Sequence, residues 1–196
     1  MLQLLMISAA VLSGGGPPRN AAVEAASQTG EASIFDKAVN APGIGWKPYG
    51  QNQTAKQVAA VEVPGGNAVQ FRVAKAGEHV WDSGATYPSI KPIAAGDTLL
   101  VMVFLRAPNA SEGSTVSIPV SIGGSEAPYT PVATDQMRVT SAWKRFYLSG
   151  KTAQAYAQGQ ATITVQLAGA KQVIEVGPAF LIDLGPLFDE TKLPRN

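Results

Sequence analysis

At 196 residues the chain is sized for one domain plus a leader, and its net charge of +1 comes with 15 basic residues scattered singly apart from Lys144-Arg145. That scatter excludes the clustered positive footprint that nucleic acid or anionic lipid demands. Apolar residues at 45%, charged residues at 15%, 20 Gly and 14 Pro describe a turn-rich globular domain and not a disordered tail. The lack of cysteine removes disulfides, thiolate metal sites, a cysteine nucleophile and a cysteine-borne lipid anchor, and a single histidine removes histidine-clustered metal chemistry.

Residues 1–12 (MLQLLMISAAVL) form an apolar run too short to span a bilayer, followed by the breaker run SGGGPP at 13–18. The pattern predicts a signal-peptide core and hence a secreted or periplasmic bacterial protein, although no Lys or Arg precedes the run. Residues 1–26 are assigned to a signal peptide or disordered leader, 27–188 to a single β-sandwich and 189–196 to a tail.

From residue 27 onward the dominant period is two, in short runs separated by Gly, Pro, Asn and Asp. Residues 56–63 and 68–73 flank the turn cluster Pro64-Gly65-Gly66-Asn67, and Val69, Phe71 and Val73 alternate with Gln70 and Arg72, which predicts a hairpin with one buried face. Residues 98–106 (TLLVMVFLR) are apolar on both parities, as in a central strand covered on both faces. In 115–122, Val116, Ile118, Val120 and Ile122 oppose Thr115, Ser117, Pro119 and Ser121, and Pro119 predicts an edge or a bulge because it cannot donate to a ladder. Further runs at 137–139, 143–149, 161–167, 172–176 and 180–184 follow, with Ile163, Val165 and Leu167 alternating with Thr162, Thr164 and Gln166. Nine or so short strands without crossover helices predict two packed antiparallel sheets.

A search for chemistry yields little. His79 is the only histidine, and no Gly-x-Ser-x-Gly elbow or phosphate-cradling glycine loop accompanies it. A glycosidase needs two carboxylates about 5–9.5 Å apart, and no spacing among the 14 acidic residues singles out a pair.

The order of five segments carries a resemblance: Trp81-Asp82-Ser83-Gly84, then Gly96-Asp97 entering the apolar run to Arg106, then Trp143 to Tyr147 and the closing runs at 172–177 and 180–185. Over about residues 30–186 the chain resembles carbohydrate-binding modules of the CenC or xylanase-associated type. The resemblance implies an all-β, galactose-binding-like jelly-roll sandwich without catalysis, binding a polysaccharide or oligosaccharide, often beside a glycanase catalytic domain. It also implies a structural calcium, with Asp183 at the acidic position of the last strand.

Sugar rings offer apolar C–H faces and polar edges, so flat aromatics and amide or charged hydrogen-bonders suit them. Trp81, Tyr87 and Tyr129 stand in Gly/Pro-flanked stretches outside the alternating apolar faces and are the stacking candidates, each equally readable as a plug onto the core. Arg106 and Gln172 stand at motif positions of the resemblance; Arg106 reads equally as a sugar contact or a structural ion pair. Trp143 reads as core beside Phe146 and Leu148. The alternatives to sugar binding are an envelope or adhesion sandwich with a protein partner, and a small jelly-roll glycanase or lyase.

Overall fold

The computed structural model describes residues 34–196, so the expected leader at 1–26 lies outside the described residues. Ten strands build two five-stranded sheets, all of whose neighbouring strands run antiparallel. The first sheet takes β1 (Lys47–Gly50), β4 (Ser83–Pro88), β9 (Ala161–Gln166), β6 (Val116–Gly124) and β7 (Pro131–Val139), in that spatial order. The second takes β2 (Gln53–Ala59), β3 (Asn67–Val73), β10 (Gln172–Asp183), β5 (Thr98–Arg106) and β8 (Lys144–Lys151).

The core lies between the sheets and follows the predicted parities. Phe71, Val101, Leu105, Phe146, Ile174 and Leu181 of the second sheet meet Ala85, Ile118, Val120, Met137, Ile163 and Val165 of the first, all buried. Each large apolar side chain so placed contributes about 1.5–3 kcal/mol by leaving water. Strand β5 is interior, paired with β10 and β8, although the middle strand of the sheet is β10; as its double-parity pattern predicts, its second face has its own cover. Leu100 packs with Ile182 and Leu193, and Tyr147, Phe180 and Phe188 close around them. Residues 189–196, set apart above as a tail, therefore lie on the second sheet: Leu193 is buried, and the Asn196 side chain accepts from Tyr147 N (2.8 Å) and donates to Tyr147 O (2.8 Å).

Three strand predictions need correction. The runs at 172–176 and 180–184 are one strand, β10, whose register against β5 shifts between Val176 and Ala179. Gly177 and Pro178 supply that bulge, since proline cannot donate to the ladder and a Cβ at 177 would stand 3.0 Å from Phe104 Cβ. Pro119 sits in an interior strand and not at a sheet edge, though that strand has the other predicted feature, a register shift against β7 between Ile122 and Gly123; the proline is tolerated because it lies outside the β6–β9 pairing, which begins at Val120↔Val165. Finally, β1 and β4 have no counterpart in the predicted series, because KPYG and SGATYP lack a run of alternating apolar residues.

Among the described residues no helix is long and apolar enough to cross a membrane.

Candidate functional site

Because side chains alternate across a strand, the parity that buries Ala85, Ile163 and Ile122 turns Thr86, Thr164 and Ser121 outward. Antiparallel register aligns these polar residues sideways. Lys47 pairs with Thr86, Thr86 with Thr164, Thr164 with Ser121, and Ser121 with Thr134, which draws one polar row across all five strands of the first sheet. A second row joins Tyr49, Gly84 and Gln166, and a third joins Pro88, Thr162, Gly123 and Pro131. Together they floor a cleft of about 1070 Å³. From Gly84 to Pro88 the floor extends about 13 Å along the strands, and its four interstrand steps span about 19 Å.

Two aromatic residues stand at opposite ends of the floor. Trp81 precedes β4 at the Gly84 end and is 56% exposed; Tyr129 lies in the β6–β7 connection at the Pro88 end and is 67% exposed. Tyr129 holds φ at 53°, in the left-handed region that bulky residues rarely occupy, and its N–H donates to Glu126 O (2.7 Å). A large apolar ring held in a strained backbone and left in water gains nothing for folding. Such a ring is suited to an incoming flat partner.

Tyr49 is a cleft aromatic that sequence reasoning passed over. It lies down on Gly84, where a Cβ would come within 2.7 Å of the Tyr49 Oη and would also strike Val165 O. Burial pushes the Tyr49 phenol up to about 12; at neutral pH it is protonated and able to donate, as a tyrosine ordinarily is. The only charged side chain among the described cleft residues is Lys47, and no Asp or Glu lines the cleft there. The outward parity of residues 162–166 and 117–121 was legible as polar, but which sheet face stays open was not.

The remaining candidates lie elsewhere. Tyr87 is 2% exposed and belongs to the core: its hydroxyl donates to Ala41 O (2.6 Å) and its ring meets Trp46 edge-on at 5.2 Å. It shares the inward parity of Ala85, and pairing between β1, β4 and β9 fixes that parity. Arg106 stands on the outer face of the opposite sheet. Its Nε donates to Glu175 Oε2 (2.6 Å), and its guanidinium lies 4.9 Å over the Trp143 ring. Of its two readings, the structural ion pair is the one observed, and its partner Glu175, on the outward parity of β10, is only 4% exposed. Gln172 ties the sheets together, its Nε2 donating to Leu167 O (2.7 Å).

Asp183 ends β10, away from the cleft. Its Oδ1 accepts from Gly185 N (2.9 Å), while Asp97 Oδ2 accepts from Ala94 N (2.9 Å). Burial raises the Asp183 carboxyl above the ordinary carboxylate range and the neighbouring Asp97 raises it further, against a lowering by the Gly185 N–H. Lys37 and Lys91 border the same open hollow of about 570 Å³, and no third His, Asp or Glu joins the pair among the described residues.

No family model matches the chain, and no curated protein matches its sequence. Solved structures do share the fold. An arabinose-bound GH51 α-L-arabinofuranosidase superposes with a TM-score of 0.53 at 18% identity, over 76% of this chain and 26% of that one. This chain thus spans only about a quarter of that enzyme's length. A CBM4 structure gives a TM-score of 0.53 at 18% identity, over 71% of this chain and 94% of that one. The N-terminal cellulose-binding domain of Cellulomonas fimi β-1,4-glucanase C gives 0.50 at 17%, over 74% and 91%. The architecture is the jelly-roll sandwich of carbohydrate-binding modules.

Proposed function

We propose that this chain is a noncatalytic carbohydrate-binding module that takes a polysaccharide or oligosaccharide across the outer face of the β1-β4-β9-β6-β7 sheet. The observation that carries the reading is the pair of exposed rings, Trp81 and Tyr129, at the two ends of a floor of hydroxyl and amide side chains. Sugar C–H faces stack on the rings, and sugar hydroxyls exchange water for Thr86, Ser121, Thr164 and Gln166, which both donate and accept. Such a site fits affinities near millimolar to micromolar, about 4–8 kcal/mol. The absence of Asp and Glu from the described cleft lining supports binding over cleavage, since hydrolysis needs two carboxylates flanking the bond.

The cellulose-binding domain and the arabinose-bound enzyme that share the fold suggest the first probes: hydroxyethylcellulose, arabinoxylan and cello-oligosaccharides. In affinity electrophoresis we expect retardation by at least one of these. Trp81→Ala should weaken it by about 2 kcal/mol, as loss of an anchoring aromatic does, with the unfolding midpoint unchanged. Chain shortening by the pure protein would replace the reading with a glycanase or lyase, and indifference to the whole panel would favour a protein partner.

In the same reading the protein is exported and serves a glycanase catalytic domain. Amino-terminal sequencing of the soluble protein tests the export, and an intact Met1 would reject it. If a structural calcium is present, we place it at Asp183 and Asp97, whose mutual repulsion a divalent cation would relieve; calcium also needs carbonyl or water oxygens, and Lys37 and Lys91 compete as counter-charges. A melting temperature insensitive to chelator would reject that ion.

A further inference from the structure

The Trp81 ring has two faces, and the protein already uses one. The His79 imidazole stacks on it with 4.6 Å between ring centroids and 17° between planes. The cleft takes Trp81 but not His79 among its lining residues, so the histidine backs the indole and the opposite face is left for a ligand. The turn that holds them is tied at both ends. Asp82 N donates to His79 O (3.1 Å), and His79 N donates to Asp82 Oδ2 (2.9 Å). Gly77 lies against the same carboxylate, where a Cβ would meet Asp82 Oδ2 at 2.7 Å. The turn is anchored to the first sheet's far end through Gly77 N to Ala168 O (2.9 Å) and Ala168 N to Val80 O (3.1 Å).

We infer that His79 is a positioning residue that holds the Trp81 indole upright as a one-sided sugar platform, an inference that rests on the binding reading above. An exposed tryptophan with free side-chain torsions would have to be ordered by each ligand, at about 0.5–1.5 kcal/mol per immobilised side chain. A ring stacked behind it removes part of that cost beforehand. The only histidine of the chain thus has a use that needs no proton transfer. The stack also has an optical signature, because a ring covering one indole face limits the access of a small quencher to it. The charged residues of the His79 loop are Lys75, Glu78 and Asp82.

Two measurements test the inference, with hydroxyethylcellulose and arabinoxylan as probes. The first compares wild type, His79→Ala and His79→Phe by affinity electrophoresis and urea unfolding. His79→Ala should bind about three- to tenfold more weakly, and His79→Phe, which keeps a flat ring, should return to within about twofold of wild type. The unfolding midpoints should coincide. Wild-type affinity in His79→Ala, or no recovery in His79→Phe, overturns the inference. The second follows acrylamide quenching of tryptophan emission without ligand. Quenching should be steeper in His79→Ala than in wild type or His79→Phe, and the difference should vanish on a Trp81→Phe background, because the stacked ring shields one indole face. If no glycan binds the wild type, the binding reading fails by itself; the quenching result then decides the stack, a steeper slope in His79→Ala supporting it and equal slopes rejecting it.

Discussion

The two outer faces of this sandwich start from similar material and end in opposite states. The first sheet's face carries hydroxyls, an amide and one lysine in rows, half-exposed between two exposed rings. At the centre of the second sheet's face the polar groups are paired with one another: Glu175 accepts from Arg106 Nε and from Gln70 Nε2 (2.8 Å), and Trp143 lies beneath the guanidinium. Its apolar portion around Leu100 and Ile182 is roofed by Leu193 and Phe188. A polar residue on a sheet face becomes a ligand contact only when no other part of the protein reaches it. Partner availability, and not residue type, separates site from scaffold.

The largest way to break this contrast is to open the closed face. Glu175→Ala strips the buried partner from Arg106 and Gln70, and we expect a loss of about 3 kcal/mol in urea unfolding with glycan affinity unchanged. An equal loss of affinity would mean that the two faces are coupled. A smaller effect belongs to the open face. Thr164→Val keeps shape while deleting the hydroxyl at the centre of the polar row, so affinity should fall by about 1 kcal/mol and stability should stay level.

The smallest effect concerns the Asp97–Asp183 pair, which lies on neither face's contact network. With its folded value raised, Asp183 favours the folded state most at pH below the ordinary carboxylate value of 3.8, and that contribution is lost as pH rises through the folded value. Asp183→Asn should therefore be slightly more stable than wild type at neutral pH in chelator, and the difference should vanish in acid. A destabilised variant in calcium but not in chelator would instead support the ion there.

Much of the scaffold was legible because hydrophobic periodicity is local. Residues 98–106 announce a strand covered twice, and the alternation at 161–167 gives the inward set directly. What was hidden depended on pairing with distant strands. Lys47–Gly50 and Ser83–Pro88 become strands only through each other and β9, and without them Tyr49 and Tyr87 are two tyrosines in similar Gly- and Pro-containing surroundings. Pairing sends Tyr49 to the cleft and Tyr87 to the core. Trp81 and Tyr129, by contrast, sit outside the strands, where no partner strand imposes a parity on them, and their sequence surroundings sufficed to single them out. Glu175 points outward from β10 yet is buried, because parity says which way a side chain points and nothing about which neighbours reach over it, here Arg106 and Gln70.

The glycine beneath Tyr49, Gly84, has a practical corollary for redesign. Cleft depth there is set by atoms that are missing, since any side chain at 84 would lift Tyr49 and collide with Val165 O, and one at 123 would meet Thr130 O at 2.8 Å. A library aimed at new glycans should hold those two positions fixed and vary Ser121, Thr134 and Thr164, whose side chains change the relief of the groove without moving the sheet beneath it.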